Sequence, residues 1–214
     1  MIEGSVKMIP PFQSEFLTPT KNFRQLSVLL AIRNAPTMSQ HKIAKITHLS
    51  SSMVNNYIKE LQQGGLITVT GKTNRTQEYH LTSLGRDELI SLLVSYSAEI
   101  VQLYGGAKRE IAERLHHMHL EDIRTVVLFG AAETAEVVHA AIKDTPLTVK
   151  AVVDSDPAKQ GKPFNGLTIQ KPEQLRGIDA DAVVITSFGK QEEIHACVRQ
   201  LVGEGIKVIK LSEL

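Results

Sequence analysis

The chain contains a single cysteine, almost no net charge, no long unbroken apolar run and none of the common catalytic motifs. One thiol among 214 residues closes no internal disulfide, which fits a reducing compartment. With 24 Lys and Arg against 23 Asp and Glu, the formal charge is +1, so the chain as a whole is not a polyelectrolyte. No continuous apolar stretch approaches the ~20 residues of a membrane span, and the start MIEGSVKMIPPF lacks the hydrophobic region of a signal peptide. A cytoplasmic protein that neither enters nor crosses a membrane is expected. There is no G-x-S-x-G elbow, no H-E-x-x-H and no phosphate-binding P-loop, so no enzyme and no catalytic residue is expected. His116, His117 and His119 sit too close in sequence to point one way from a helix, so no shared metal is expected there. Cys197 is expected on the buried side of a helix, as an inert thiol. A hydrophobic share of 42% supports two modest domains.

The richest pattern lies between Gln25 and Gly85. A first helix carries Leu26, Leu29, Leu30 and Ile32 and stops near Asn34-Ala35-Pro36, because proline cannot donate into a helical ladder. A second begins after Ser39, a good N-cap, and buries Ile43, Ala44 and Ile46. A break at Thr47-His48 leads to a third helix, capped by Ser50 or Ser51, with Val54, Ile58 and Leu61 as its buried stripe. Its other face is left with Ser51, Ser52, Asn55, Asn56 and Lys59. Short hydroxyl and amide side chains of this kind can hydrogen-bond base edges in a major groove, while the helix N-terminus favours a nearby phosphate. Gly64-Gly65 ends the helix, and two strands, Leu66–Val69 and Gln77–Leu81, flank a tip holding Lys72, Asn74 and Arg75, which suit a phosphate backbone or minor-groove edge. Residues 20–82 hold eight Lys or Arg against two Glu, a surplus of six in a chain whose total is +1. Positive charge is therefore concentrated where duplex DNA would need it.

Helix, helix-turn-helix and two-stranded wing, with LSSSMVNNYIKELQQGGLI and the later YHLTSLGRDEL, resemble the winged helix of MarR-type regulators over about the first 90 residues. The resemblance implies sequence-specific binding to double-stranded DNA, usually as a homodimer.

From Thr82 a long helical pattern runs through Leu84, Leu89, Leu92, Leu93, Ile100, Val101 and Leu103, and resumes at Ile111, Leu115 and Met118 after an expected break or hinge at Gly105-Gly106. It carries more apolar surface than one small domain can cover, so a partner is expected on it. In the regulators it resembles, this is where the dimer forms. Beyond Asp122 buried strands alternate with helices: Val126–Gly130, Val149–Asp154, Leu167–Ile169, Ala182–Thr186 and Lys207–Leu211. That alternation predicts a small, doubly wound, parallel α/β domain of Rossmann-like type. The expected organisation is an arm (1–19), a winged helix (20–82), linker and dimerisation helices (83–121) and the α/β domain (122–214).

Ligands of such sheets sit at the carboxyl ends of the strands, where strand order reverses. Three segments are expected there: Gly130, Ala131, Ala132, Glu133 and Thr134 to receive a phosphate, Asp154 and Asp156 to hold a ribose, and Ser187, Phe188 and Gly189 to wall the pocket. A dinucleotide fingerprint asks for G-x-G-x-x-G/A, whereas Gly130 to Ala135 keeps only the first glycine and the final alanine. Ala132 adds a methyl group where backbone must approach pyrophosphate, and Glu133 adds negative charge, so NAD is disfavoured. The runs VDSDPAKQGK, KPEQL and DAVVITSFGKQEEI resemble the small Rossmann-type domains of enzymes that modify nucleotide-linked sugars, over most of residues 125–211. That resemblance implies a nucleotide or nucleotide-sugar as effector. The overall plan also resembles the Rex redox sensors, which keeps NAD(H) sensing open beside a purely structural C-terminal domain and a small nucleotide-sugar-related enzyme.

Overall fold

The computed structural model describes residues 19–71 and 76–213. They divide into two compact units, the first ending at Ile100 and the second beginning at Val101.

The first unit is held by three capped helices. Helix α1 (Lys21–Asn34) starts where the Thr20 hydroxyl accepts from the Phe23 N–H, α2 (Gln40–Thr47) where Ser39 accepts from Lys42, and α3 (Ser51–Gln63) where Ser50 accepts from Met53. Each cap satisfies a backbone donor the helix cannot, at about 1 kcal/mol. His48 closes α2 in the left-handed region with φ of 53°, turning the chain between α2 and α3. Strands β1 (Ile67–Thr70) and β2 (Glu78–Leu81) pair antiparallel. Leu26, Leu29 and Ile32 of α1, Ile43 of α2 and Val54, Ile58 and Leu61 of α3 share one core with Ile67 and Tyr79 of the wing.

Helix α4 (Ser83–Leu120) enters this unit tightly. The Thr82 hydroxyl accepts from the Gly85 N–H at 3.0 Å and donates to the Gly65 carbonyl at 2.7 Å. A Cβ on Gly85 would lie 1.9 Å from the Leu66 carbonyl oxygen, so the first turn of α4 crosses the wing at a distance only glycine allows.

One expectation about α4 is corrected. Gly105-Gly106 does not interrupt it, since 38 residues form one continuous helix. Glycine costs about 1 kcal/mol relative to alanine but keeps its N–H and C=O in the ladder, so a pair of them lowers propensity without breaking a long helix. By length and composition alone α4 is apolar enough to cross a membrane, and its most apolar stretch is largely exposed. Serine, tyrosine and glutamine interleave the apolar residues.

The second unit is a six-stranded sheet ordered β5-β6-β4-β3-β7-β8. Its strands are β3 (Thr125–Phe129), β4 (Thr148–Val153), β5 (Pro163–Phe164), β6 (Leu167–Gln170), β7 (Ala182–Ile185) and β8 (Lys207–Lys210). All neighbours run parallel except β5 against β6. The expected all-parallel sheet is thus corrected at one edge. A two-residue strand folded back through Asn165-Gly166, both at positive φ, is too short to leave an alternating pattern in sequence.

Side chains alternate across the sheet, and both faces are covered. Val126, Leu128, Val152 and Val184 meet α5 (Glu133–Ile142) and the Leu115 and Met118 end of α4. Val127, Phe129, Val153, Val183 and Ile185 meet Val198 of α6 (Gln191–Leu201) and Leu175 of a 3₁₀ turn (Pro172–Gly177). Cys197, expected inside, is exposed. Residues 197 and 198 point about 100° apart on α6, and it is Val198 that faces the sheet.

Candidate nucleic-acid interface and strand-end site

In α3 the burial of Val54, Tyr57, Ile58 and Leu61 forces the opposite face outward. Ser51, Ser52, Asn56 and Lys59 are exposed and Asn55 is half-buried. The Ser52 hydroxyl lies 2.9 Å from that of Ser50, the N-cap. Asn55 and Asn56 make no hydrogen bond to any described residue, so their amides keep both donors and acceptors for another molecule. Among the cations of this unit Lys21 is engaged with Glu60 at 3.0 Å, whereas Lys42, Lys45 and Lys59 are exposed and form no ion pair with described residues. Lys72, Asn74 and Arg75 of the expected wing tip lie outside the described residues.

At the carboxyl ends of the strands, the first two expected segments are joined by hydrogen bonds. Asp154 is 6% exposed. Its carboxylate accepts from the Ala131 N–H at 2.8 Å, the Asp156 N–H at 2.8 Å and the Lys159 ammonium at 3.0 Å. Gln160 donates to its carbonyl at 3.0 Å. Burial works against ionisation of Asp154, but the donors from Asp156, Lys159 and Ala131 outweigh it and hold its pKa below the ordinary carboxylate value.

Gly130 sits at φ of 111°, and a Cβ there would lie 2.9 Å from the Thr186 hydroxyl. Buried Thr186 donates to the Phe129 and Gly130 carbonyls at 2.9 Å each, tying the third segment to the first. Ser187 donates to the Gly189 carbonyl, and Phe188 stands 70% exposed at the rim. Ala132 precedes helix α5 as its N-cap residue and offers no side-chain cap, and the first turn of the helix carries Glu133 and Glu136. Asp156 accepts from the Ala158 N–H and closes the turn after β4. Sequence reasoning missed Lys159, Gln160 and Thr186. The first two lie inside the DSDPAKQGK run, where a lysine five residues after an aspartate is a weak signal until the turn brings them together.

The carboxyl chemistry fixes how this unit responds to acid. Asp154, and Asp181 through bonds from the Arg124 and Thr125 amides, have pKa values lowered from the ordinary ~3.9, so the stability they contribute is complete above that value and is lost as pH falls through the lower folded value. His139 is also lowered, by burial and then by Lys143, with Glu136 opposing. Protonation below its ordinary ~6.5 therefore favours the unfolded chain. Thermal unfolding of the second unit is expected to begin shifting downward just below pH 6.5 and to fall further below pH 4. In Asp154→Asn the second stage should be reduced, as scanning calorimetry across pH would show; an unchanged acid limb would contradict this assignment.

Residues 21–74 match the family model described as MarR family, and residues 122–209 match one described as C2185-like, N-terminal. No curated protein matches the chain. Among solved structures, Bordetella bronchiseptica BpsR, whose DNA binding is regulated by 6-hydroxynicotinic acid, is 27% identical over 37% of this chain and 61% of its own, with a TM-score of 0.32. A MarR-family regulator from Rhodococcus sp. RHA1 is 23% identical over 39% and 61%, with a TM-score of 0.35. Streptomyces coelicolor PcaV, solved with its natural ligand, is 22% identical over 42% and 62%, with a TM-score of 0.34. The chain spans less than two thirds of the length of each of these three. The match to the MarR family model, residues 21–74, falls on the capped helices α1 to α3, with the polar α3 face, and on β1.

Proposed function

We propose that the chain is a homodimeric, DNA-binding transcriptional regulator whose operator affinity is altered by a nucleotide or nucleotide-sugar bound at the strand ends of a Rossmann-like second domain. The observation that carries the first half is the α3 face, where Asn55, Asn56 and Lys59 have no partner among the described residues, on a well-capped helix in the positively charged part of the chain. Asparagine amides suit adenine edges in a major groove, and Lys59 adds a phosphate contact.

Support for the effector is the strand order, in which β4 and β7 flank β3 on opposite sides, so the order reverses beside Gly130 and Thr186. Phe188 offers an exposed ring on which a base can stack, worth about 1–3 kcal/mol. Ala132 and the acidic first turn of α5 oppose a dinucleotide pyrophosphate, which places NAD(H) second. Coupling between effector and operator in such regulators is about 1–3 kcal/mol, or roughly 5- to 150-fold in affinity. For the homodimer, the support is a stripe on α4 with coiled-coil spacing: Ile90, Val94, Ser97, Val101 and Tyr104, all exposed.

The test is binding of the full chain to its own upstream duplex at two salt concentrations, with and without nucleotides and nucleotide-sugars. Asn55→Ala should weaken specific binding by about 1–3 kcal/mol and leave nonspecific binding near its original value. Lys59→Ala should weaken both and reduce the salt slope by about 1. Absence of duplex binding, or an Asn55→Ala variant with unchanged specificity, would remove the reading. Specific binding indifferent to every compound would leave a regulator with a structural second domain.

A further inference from the structure

A groove of about 310 Å³ opens in the second unit at the opposite end of the sheet from Asp154. It is formed by the last turn of α5, the start of β4 and the turn between β5 and β6. Its volume is at the small end of the range for ligand sites, roughly 300–1,000 Å³. The floor is apolar, with Ile142 and Leu147 buried and Val149 and Leu167 half-buried.

His139 lines the groove although it is only 8% exposed. Its ring meets Phe164 edge-on at 5.8 Å and makes no hydrogen bond to a described residue. Among the described residues no side-chain nitrogen or oxygen is both sealed from solvent and unpartnered, so the imidazole nitrogens of His139, a residue that lines the groove, are within reach of a small molecule.

The charge of the rim is selective. Asp144 is held by Lys108 at 2.7 Å, and Glu136 receives the Asn165 amide. Lys143 is exposed, forms no ion pair with a described residue and lines the groove. The carbonyl end of α5 would disfavour an anion, but the Ile142 carbonyl already accepts from the Thr145 N–H and hydroxyl, and that of Ala141 from Asp144. Thr148, whose hydroxyl bonds to no described residue, lines the groove at the start of β4.

We propose that this groove binds a small amphiphilic carboxylate whose apolar body covers Ile142, Leu147 and Leu167 while its carboxylate pairs with Lys143 and a polar substituent meets His139. Burial, and then the Lys143 charge, favour the neutral ring of His139 against the opposing pull of Glu136, and a neutral ring offers one donor and one acceptor. A single cation over an apolar floor suits one carboxylate rather than a di- or triphosphate. The site is independent of the strand-end site.

Sodium octanoate, with octanol and octylamine as uncharged and cationic controls, is the probe, titrated into the isotope-labelled full chain and followed by amide and His139 ring resonances. Expected are saturable shifts confined to residues 139–149 and 165–167 below about 10 mM, with octanol about tenfold weaker and octylamine weaker still. Lys143→Met, at an exposed position, should erase the preference for octanoate over octanol while leaving the octanol shifts in place. Shifts elsewhere, no saturation in that range, equal binding of octylamine, or an unchanged preference in Lys143→Met would each overturn the proposal.

Discussion

Gly85→Ala is expected to destabilise the first unit by about 1–3 kcal/mol or more, because the added methyl group falls 1.9 Å from a backbone oxygen that has no room to yield. The Leu66 carbonyl also accepts from the Thr82 N–H at 3.0 Å and its hydroxyl at 3.2 Å. Moving it away from a new Cβ therefore breaks the cap that starts α4 as well as shifting the wing. Gly106→Ala, in the same helix with nothing within 4 Å of the new Cβ, is the control and should stabilise by up to about 1 kcal/mol. Urea unfolding followed by circular dichroism separates the two. Equal midpoints for Gly85→Ala and wild type would mean that α4 does not cross the wing as closely as described.

The second large effect concerns the surface of α4. The double variant Val94→Glu with Val101→Glu places charge on residues that are 64% and 67% exposed, so folding of the chain should be little affected. On the proposed dimer these residues are the seam, and two carboxylates per helix would face their copies across it. The variant should sediment as a monomer at micromolar concentration. Operator affinity should fall by roughly 10²- to 10⁴-fold, because each winged helix then holds its half-site alone. A variant of unchanged mass and unchanged affinity would place the dimer interface, or the DNA contact, elsewhere.

Much of the first unit was legible because its signals are local. Ser39 and Ser50 each cap the helix that follows them, Pro36 and Gly64-Gly65 stop helices, and the 3.6-residue period of Val54, Ile58 and Leu61 orients α3. The strands of the second unit were legible for the same reason, since β3 and β7 are short and almost wholly apolar and β4 ends in the apolar run of Ala151, Val152 and Val153. What failed was non-local or cumulative. The β5 edge depends on two positive-φ residues, the exposure of Cys197 on which of two adjacent residues faces the sheet, and the continuity of α4 on the sum of many good helix formers outweighing two glycines.

For the strand-end site, sequence named Gly130, Asp154 and Phe188 but gave them separate roles. Folding instead joins Ala131, Asp154 and Lys159 in one network and places Thr186 against Gly130. The groove at His139 left no sequence signal, because its members come from α5, β4 and the β5–β6 turn and become neighbours only when a parallel sheet closes around them. The sequence by itself determined the caps, the helix and strand periods and the concentration of positive charge, all of which act within one or two turns of chain. Only the tertiary structure decided which polar groups pair with one another and which remain open, because hydrogen bonds and ion pairs depend on distances of about 3 Å between residues far apart in the chain.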